Sequence, residues 1–179
     1  VSVLRRLLEL AVTLDFWTSV GFSISRIMGG FLLGAFMGIF LGALAAGISP
    51  VRQLLEPAVL TIKSIPVASF VILVLIWVSS EDLSVVISFL MVFPVLYTNV
   101  LNGIESTDRK LLEMADVFRI SLPRRIRYIY ASQVLPFFRA GCSVSLGLCW
   151  KAGVAAEVIG IPDGSIGERL YMAKVYLNT

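Results

Sequence analysis

IMGGFLLGAFMGIFLGALAAGISP, residues 27–50, carries no charged side chain and sets Gly30, Gly34, Gly38 and Gly42 four residues apart. In water each glycine inside a helix costs about 1 kcal/mol relative to alanine, so a soluble helix gains nothing from this spacing. In lipid the spacing is useful. Residues i and i+4 share a face, and the four glycines make a groove into which another helix backbone can press. The stretch reads as a packed membrane helix, with the glycines as helix-packing positions and no chemical role.

Composition points the same way. Hydrophobic residues make up 58% of the 179-residue chain and charged residues 15%, and the mean hydropathy is +0.90, far from an average soluble domain. The absence of histidine excludes a histidine acid–base or metal site. Cys142 and Cys149 stand seven apart in an apolar run. On a helix that is about 10 Å along the axis, too far for a disulfide, so both read as small packing residues. No metal, cofactor or nucleic-acid partner is expected. The chain also lacks a G-x-x-x-x-G-K-[ST] phosphate loop and should hydrolyse nothing itself.

Residues 2–14 place Leu4, Leu7, Leu8, Ala11 and Leu14 at helical spacing, with Arg5, Arg6 and Glu9 opposite, as in a surface helix. The first span is expected over about 20–48, closed by Ser49 and Pro50. Pro57 suits a helix start, so a short interfacial helix is expected over 54–63. Pro66 then bends the chain into a second span, about 65–79. Glu81 and Asp82 make a polar turn, a third span runs from Leu83 to about Asn102 with a kink at Pro94, and a fourth from about Val134 to Ile159. Residues 160–179 are too polar to cross. The whole chain, 1–179, reads as one transmembrane domain and, starting at Val1 without methionine, as a fragment of a longer protein.

Basic residues orient it. The 103–132 loop has six Lys or Arg and the first link has Arg52 and Lys63, whereas the 79–82 turn has only Glu81 and Asp82. Four alternating spans put both basic segments on one side, the cytoplasmic one, and residues 1–19 and 160–179 outside. Trp17 and Trp77 then fit an interfacial aromatic belt.

Ten of the 30 residues of 103–132 are charged. Leu111, Leu112, Ala115 and Phe118 mark one amphipathic face, and Ser121 and Pro123 punctuate before a second short helix. Two short helices at an angle, with mixed charge and aromatics, suit either a docking surface or a basic loop lying on anionic headgroups.

Glu113-x-Ala115, a turn, and then Leu135-Pro136 resemble the EAA coupling loop of ABC importer permeases, and more narrowly the nitrate/sulfonate/taurine type of binding-protein-dependent permease. Arg26 before the glycine-rich span fits that family in order, as do Pro57, Lys63 to Pro66, Gly141, Trp150, Ala156 and Glu157. The resemblance covers about residues 15 to 179. It implies an all-α polytopic membrane fold of the MetI-like type in a bacterial plasma (inner) membrane, with about four spans here and one more beyond each end. It also implies a cytoplasmic ABC ATPase seated on loop 103–132, an extracytoplasmic solute-binding protein, and a second permease subunit forming a homodimer. The cargo would be a small solute such as a sulfonate, nitrate or taurine. The family's loop usually has glycine where this chain has Arg119, so the turn is expected at Ser121 and Pro123.

For coupling, the resemblance singles out Glu113, Ala115, Asp116, Phe118, Arg119, Ser121 and Arg124. Glu113 could touch the ATPase or merely favour its own helix end, and Ala115 could seat the loop or simply pack. Arg125 and Arg127 fit retention of the loop inside. Lys151, deep in the fourth span, costs about 2.5–3.5 kcal/mol if it faces lipid. It could meet an anionic substrate such as a sulfonate, pair with Glu157 of the partner subunit, or sit in an internal ion pair; Lys151 and Glu157 are both candidates for the translocation path. A gradient-driven transporter or channel is the alternative function. It would call for more intramembrane carboxylates and an internal repeat, neither of which the sequence shows.

Overall fold

Side chains at Gly30, Gly34, Gly38 and Gly42 would collide with a neighbouring helix, and that contact organises the fold. In the computed structural model, which describes residues 12–176, a Cβ on Gly30 would lie 2.3 Å from Val85 O and 2.7 Å from Ser88 Cβ. On Gly34 it would lie 2.9 Å from Val92 Cβ, on Gly38 3.0 Å from Leu96 Cβ, and on Gly42 3.0 Å from Tyr97 O. Helix α1 (Leu14–Gly47) therefore lies backbone to backbone on α4 (Ser80–Glu105). The partners advance together in number, so α1 and α4 run parallel.

Parallel packing decides the span count. The chain between α1 and α4 must return across the same thickness, and it does so as a broken span: α2 (Ser49–Ser64) and α3 (Val67–Leu75), bent by 104° at Ile65 and Pro66. Three helices are long and apolar enough to cross by themselves, and the bent pair makes the fourth. Val59 of α2 packs among Ala45, Phe93, Tyr97 and Leu101; Val71 of α3 packs with Leu83, Ile87, Ala152 and Ala156.

The helix expected over 54–63 is Ser49–Ser64, and the span expected over 65–79 is corrected to the nine-residue Val67–Leu75, too short to cross without the helix before it. Pro57 is corrected too: it lies inside α2, on an exposed face, because Pro50 already occupies the first turn. Pro94 does not interrupt α4; Thr98 Oγ donates to the Pro94 carbonyl (2.7 Å) and Asn99 Nδ2 to that of Val95 (2.9 Å).

Helix α5 (Arg109–Val117) follows, then α6 (Leu122–Arg125), a π-helical turn (Ile126–Tyr130) and α7 (Ala131–Gly160). The second short helix expected after Pro123 is no separate element. It continues through the π turn into the fourth span, since no residue after Pro123 stops it. Gly103 meets Val134 and Phe137, Gly141 meets Leu96 and Asn99, and Gly160 meets Leu83, so α7 runs antiparallel to α4. Helix α8 (Ile166–Val175) closes the described chain.

The charged ends agree with this path. Arg52 pairs with Glu105, joining the start of α2 to the end of α4. At the opposite end Arg26 Nη1 lies 2.8 Å from Asp82 Oδ1 and donates to the Glu81 carbonyl (2.6 Å). The basic segments therefore share one end and the acidic turn has the other, as four alternating spans require. The expected surface helix over 2–14 lies outside the described residues except at its end, where Leu14 opens α1.

Candidate functional site

The segment between α4 and α7 is built as a braced elbow. Asp108 caps α5 by accepting from the Lys110 N–H (2.9 Å). At the other end Arg119 N–H donates to Asp116 O (3.0 Å) and Ile120 N–H to Ala115 O (2.9 Å). These are the paired bonds of a Schellman stop, which needs a left-handed residue after the cap. Arg119 supplies it at φ 49°. The reversal is therefore at Arg119, the position where the resembling loops carry glycine, and not at Ser121 and Pro123 as expected. Ser121 instead precedes α6, and Pro123 sits in its first turn.

Arg125 holds the elbow shut. Its Nη2 lies 2.6 Å from Asp116 Oδ1 and donates to Ala115 O (3.2 Å), while Nε donates to Ile120 O (2.9 Å). One guanidinium thus ties α5, the turn and α6, in the planar fork geometry that suits arginine.

The coupling candidates divide into two sets. Ala115 is fully buried within the chain itself, and Asp116 is engaged by Arg125, so both position the elbow. Glu113, Phe118, Arg119, Ser121 and Arg124 are exposed. Around them Met114, Val117, Leu122, Ile126 and Tyr128 are also exposed, with Phe118 at 73% and Val117 at 79%. These apolar neighbours escaped the sequence reading because they follow no single helical period across the turn; their signal is apolar side chains recurring in a charged loop.

At the other end Glu157 is fully buried. Its Oε2 accepts from Ser23 Oγ (2.7 Å) and Gly167 N–H (3.3 Å), and Oε1 has no hydrogen-bond partner among the described residues. Ser23 Oγ accepts from Ile166 N–H (3.0 Å), and Ser165 Oγ from Glu168 N–H (2.9 Å). The first three N–H groups of α8 are thereby satisfied by side chains from three segments, with a carboxylate at the positive end of the helix. Arg169 adds bonds to Ser19 Oγ (2.6 Å) and Asp15 O (2.7 Å). Lys151 is exposed and makes no ion pair with Glu157 of its own chain among the described residues. Glu157 fastens α8 to α1 and α7; it is not on the face that carries Lys151.

Fold and elbow together define a membrane protein, helical throughout its described elements, with a braced and exposed element attached to a span. The chain belongs to the family of binding-protein-dependent transport system inner membrane components, which matches residues 30–179. It is similar to the aliphatic sulfonates transport permease SsuC of Bacillus subtilis, 29% identical over 181 residues, covering 100% of this chain and 65% of that protein. It is 27% identical over 185 residues to the taurine transport system permease TauC of Escherichia coli, covering 99% and 66%. The nitrate import permease NrtB of Synechococcus elongatus is 27% identical over 152 residues, covering 84% and 54%. The chain thus spans about two thirds, or less, of the length of these relatives.

Proposed function

We propose that this chain is the transmembrane core of a permease subunit in an ATP-binding cassette importer. The observation that carries this reading is the braced elbow: it leaves Glu113, Phe118 and Arg124 exposed and continues without a break into α7. A cytoplasmic ATPase subunit seats on that surface. Because α6, the π turn and α7 form one rod, ATP-driven movement of the elbow tilts the span and opens the path alternately to the two sides. ATP hydrolysis belongs to the ATPase; this chain supplies position and path.

An extracytoplasmic solute-binding protein delivers the cargo, and a second copy of the permease completes the path. The cargo is a small solute, most simply an anion, in keeping with the sulfonate and nitrate named for the relatives and with Lys151 exposed in a span. Residues 1–179 act as one domain, with 103–132 as its coupling loop. In the elbow, Ala115, Asp116, Ser121 and the left-handed Arg119 set its shape, while Glu113, Phe118 and Arg124 make contact.

The test is co-purification of the full-length protein with its ATPase, wild type against Glu113→Lys combined with Phe118→Ser. Loss of the complex with unchanged membrane insertion is the expected result. An unchanged complex would move the docking surface elsewhere. No complex even with wild type would favour a gradient-driven transporter.

A further inference from the structure

Helices α1 and α7 meet near one end of the molecule and part toward the other. Ser23 bonds Glu157 (2.7 Å), and a Cβ on Gly153 would lie 2.6 Å from Ile27 Cγ1. Toward the end that carries Arg52 and Glu105, each helix leans on α4 instead. Gly42 of α1 faces Tyr97 and Val100, while Gly103 of α4 faces Val134 and Phe137 of α7. A groove opens between the two walls, lined by Ile39, Val100, Ala131, Val134, Leu135 and Phe138. Val100 is its floor at 2% exposure, and Ile39 and Leu135, each 41% exposed, are its rims.

None of these six side chains carries a polar atom. The groove measures about 160 Å³, and a cavity of about 150 Å³ lined by Leu, Ile and Phe takes up benzene. A short run of an acyl chain therefore fits, and an empty groove would forgo those contacts. Its depth suits the same occupant. Val100 precedes Glu105 by five residues, about 7.5 Å along α4, so the groove lies in the hydrocarbon just beneath the basic end.

The mouth supplies a charge. Ala131 opens the groove where the π turn ends, and Arg127 stands about one turn before it. Arg127 is exposed, lies 5.7 Å from the centre of the Tyr128 ring, and has no ion-pair partner among the described residues. Glu105, the acid at the neighbouring end of α4, is already taken by Arg52. An apolar slot with an unopposed guanidinium at its mouth matches the two chemistries of a phospholipid with a negative head: tail in the slot, phosphate in the fork. Apolar rims alone would suit a second copy of the chain as well; the unopposed cation decides for a lipid.

We propose that the groove holds one anionic phospholipid of the cytoplasmic leaflet, with an acyl chain over Val100 and its phosphate on Arg127. The lipid sits against the joint where the π turn passes into α7, as a structural ligand and not as cargo. The proposal goes beyond the importer reading and needs only the membrane placement with the basic end inside.

The test is native mass spectrometry of the full-length protein, purified in mild detergent with the subunits that accompany it. The probes are dioleoyl phosphatidylglycerol and dioleoyl phosphatidylcholine. One phosphatidylglycerol per copy should survive removal of the detergent, with a preference of about fivefold over phosphatidylcholine. Arg127→Gln should abolish the preference, and Arg127→Lys should keep most of it. Ala131→Phe, which fills the mouth, should lower the occupancy of both lipids, while Leu32→Phe on the outer face of α1 should change neither. Arg127 and Ala131 are exposed, so these variants should insert; should Ala131→Phe fail to, Arg127→Gln decides alone. Equal retention of the two lipids would overturn the site, as would a preference that survives Arg127→Gln or an occupancy indifferent to Ala131→Phe. A lipid-free dimer that Ala131→Phe splits into monomers would give the groove to a second copy and overturn it too. No ATPase, cargo or transport enters the readout, so failure of the importer reading and failure of the lipid site are separate results.

Discussion

Arg119 carries the clearest conflict between a residue and its backbone. A non-glycine residue in the left-handed region costs about 1–2 kcal/mol through its Cβ. Arg119→Gly should therefore raise stability by about 1 kcal/mol, read as a higher melting temperature of the detergent-solubilised protein, with the elbow intact. The glycines of α1 make a graded set. Gly30→Ala forces a Cβ to 2.3 Å from Val85 O and should destabilise by about 1–3 kcal/mol. Gly29→Ala, with nothing within 4 Å, should be neutral or slightly stabilising, and the same melt compares them. Gly167 is as close at its nearest contact and closer at the next, its Cβ position 2.3 Å from Glu157 Cβ and 2.4 Å from Glu157 C, and Gly167→Ala should lift α8 from α7. The α1 glycines were legible because four-residue spacing is a local pattern. Gly167 and Glu157 were not, since their contact joins residues that no short period connects.

At the scale of elements, the elbow works because one arginine closes it. Arg125→Gln removes the pairing with Asp116 and weakens the bonds to Ala115 O and Ile120 O. We expect faster proteolysis at residues 118–121 from the cytoplasmic face, with normal insertion; an unchanged digestion pattern would show that the turn holds without the brace. Pro66 announced the bend, expected ahead of the second span and found between the two arms of the crossing, but hydropathy reports composition and not path. It could not tell a straight span over 65–79 from an oblique helix followed by a short one. The merging of α6 into α7 was hidden for a related reason. Ser121 and Pro123 signal a helix start, and nothing in 126–130 signals that the helix fails to end.

For the whole molecule, the parallel packing of α1 on α4 and the antiparallel α7 leave a single consistent path. Arg52 and the elbow fall at one end; Glu81, Asp82 and α8 fall at the other. Cysteines introduced at Glu81 and Asp163 should react with an impermeant reagent from outside the cell, and cysteines at Arg124 only after the membrane is opened. Labelling of Glu81→Cys from the cytoplasmic side would invert the topology. That the basic segments share one end was readable from charge alone, whereas which side chains of 113–125 stay exposed was not. It depends on the turn at Arg119.

The importer reading turns on whether a cytoplasmic ATPase seats on the exposed rim of the elbow. It is tested most directly by a photo-crosslinking residue, benzoylphenylalanine, placed at Phe118 in the full-length protein co-expressed with its ATPase, with Leu32 as the lipid-facing control. A covalent adduct to the ATPase is expected from position 118 and none from position 32. An intact complex that yields no adduct at 118 would contradict it.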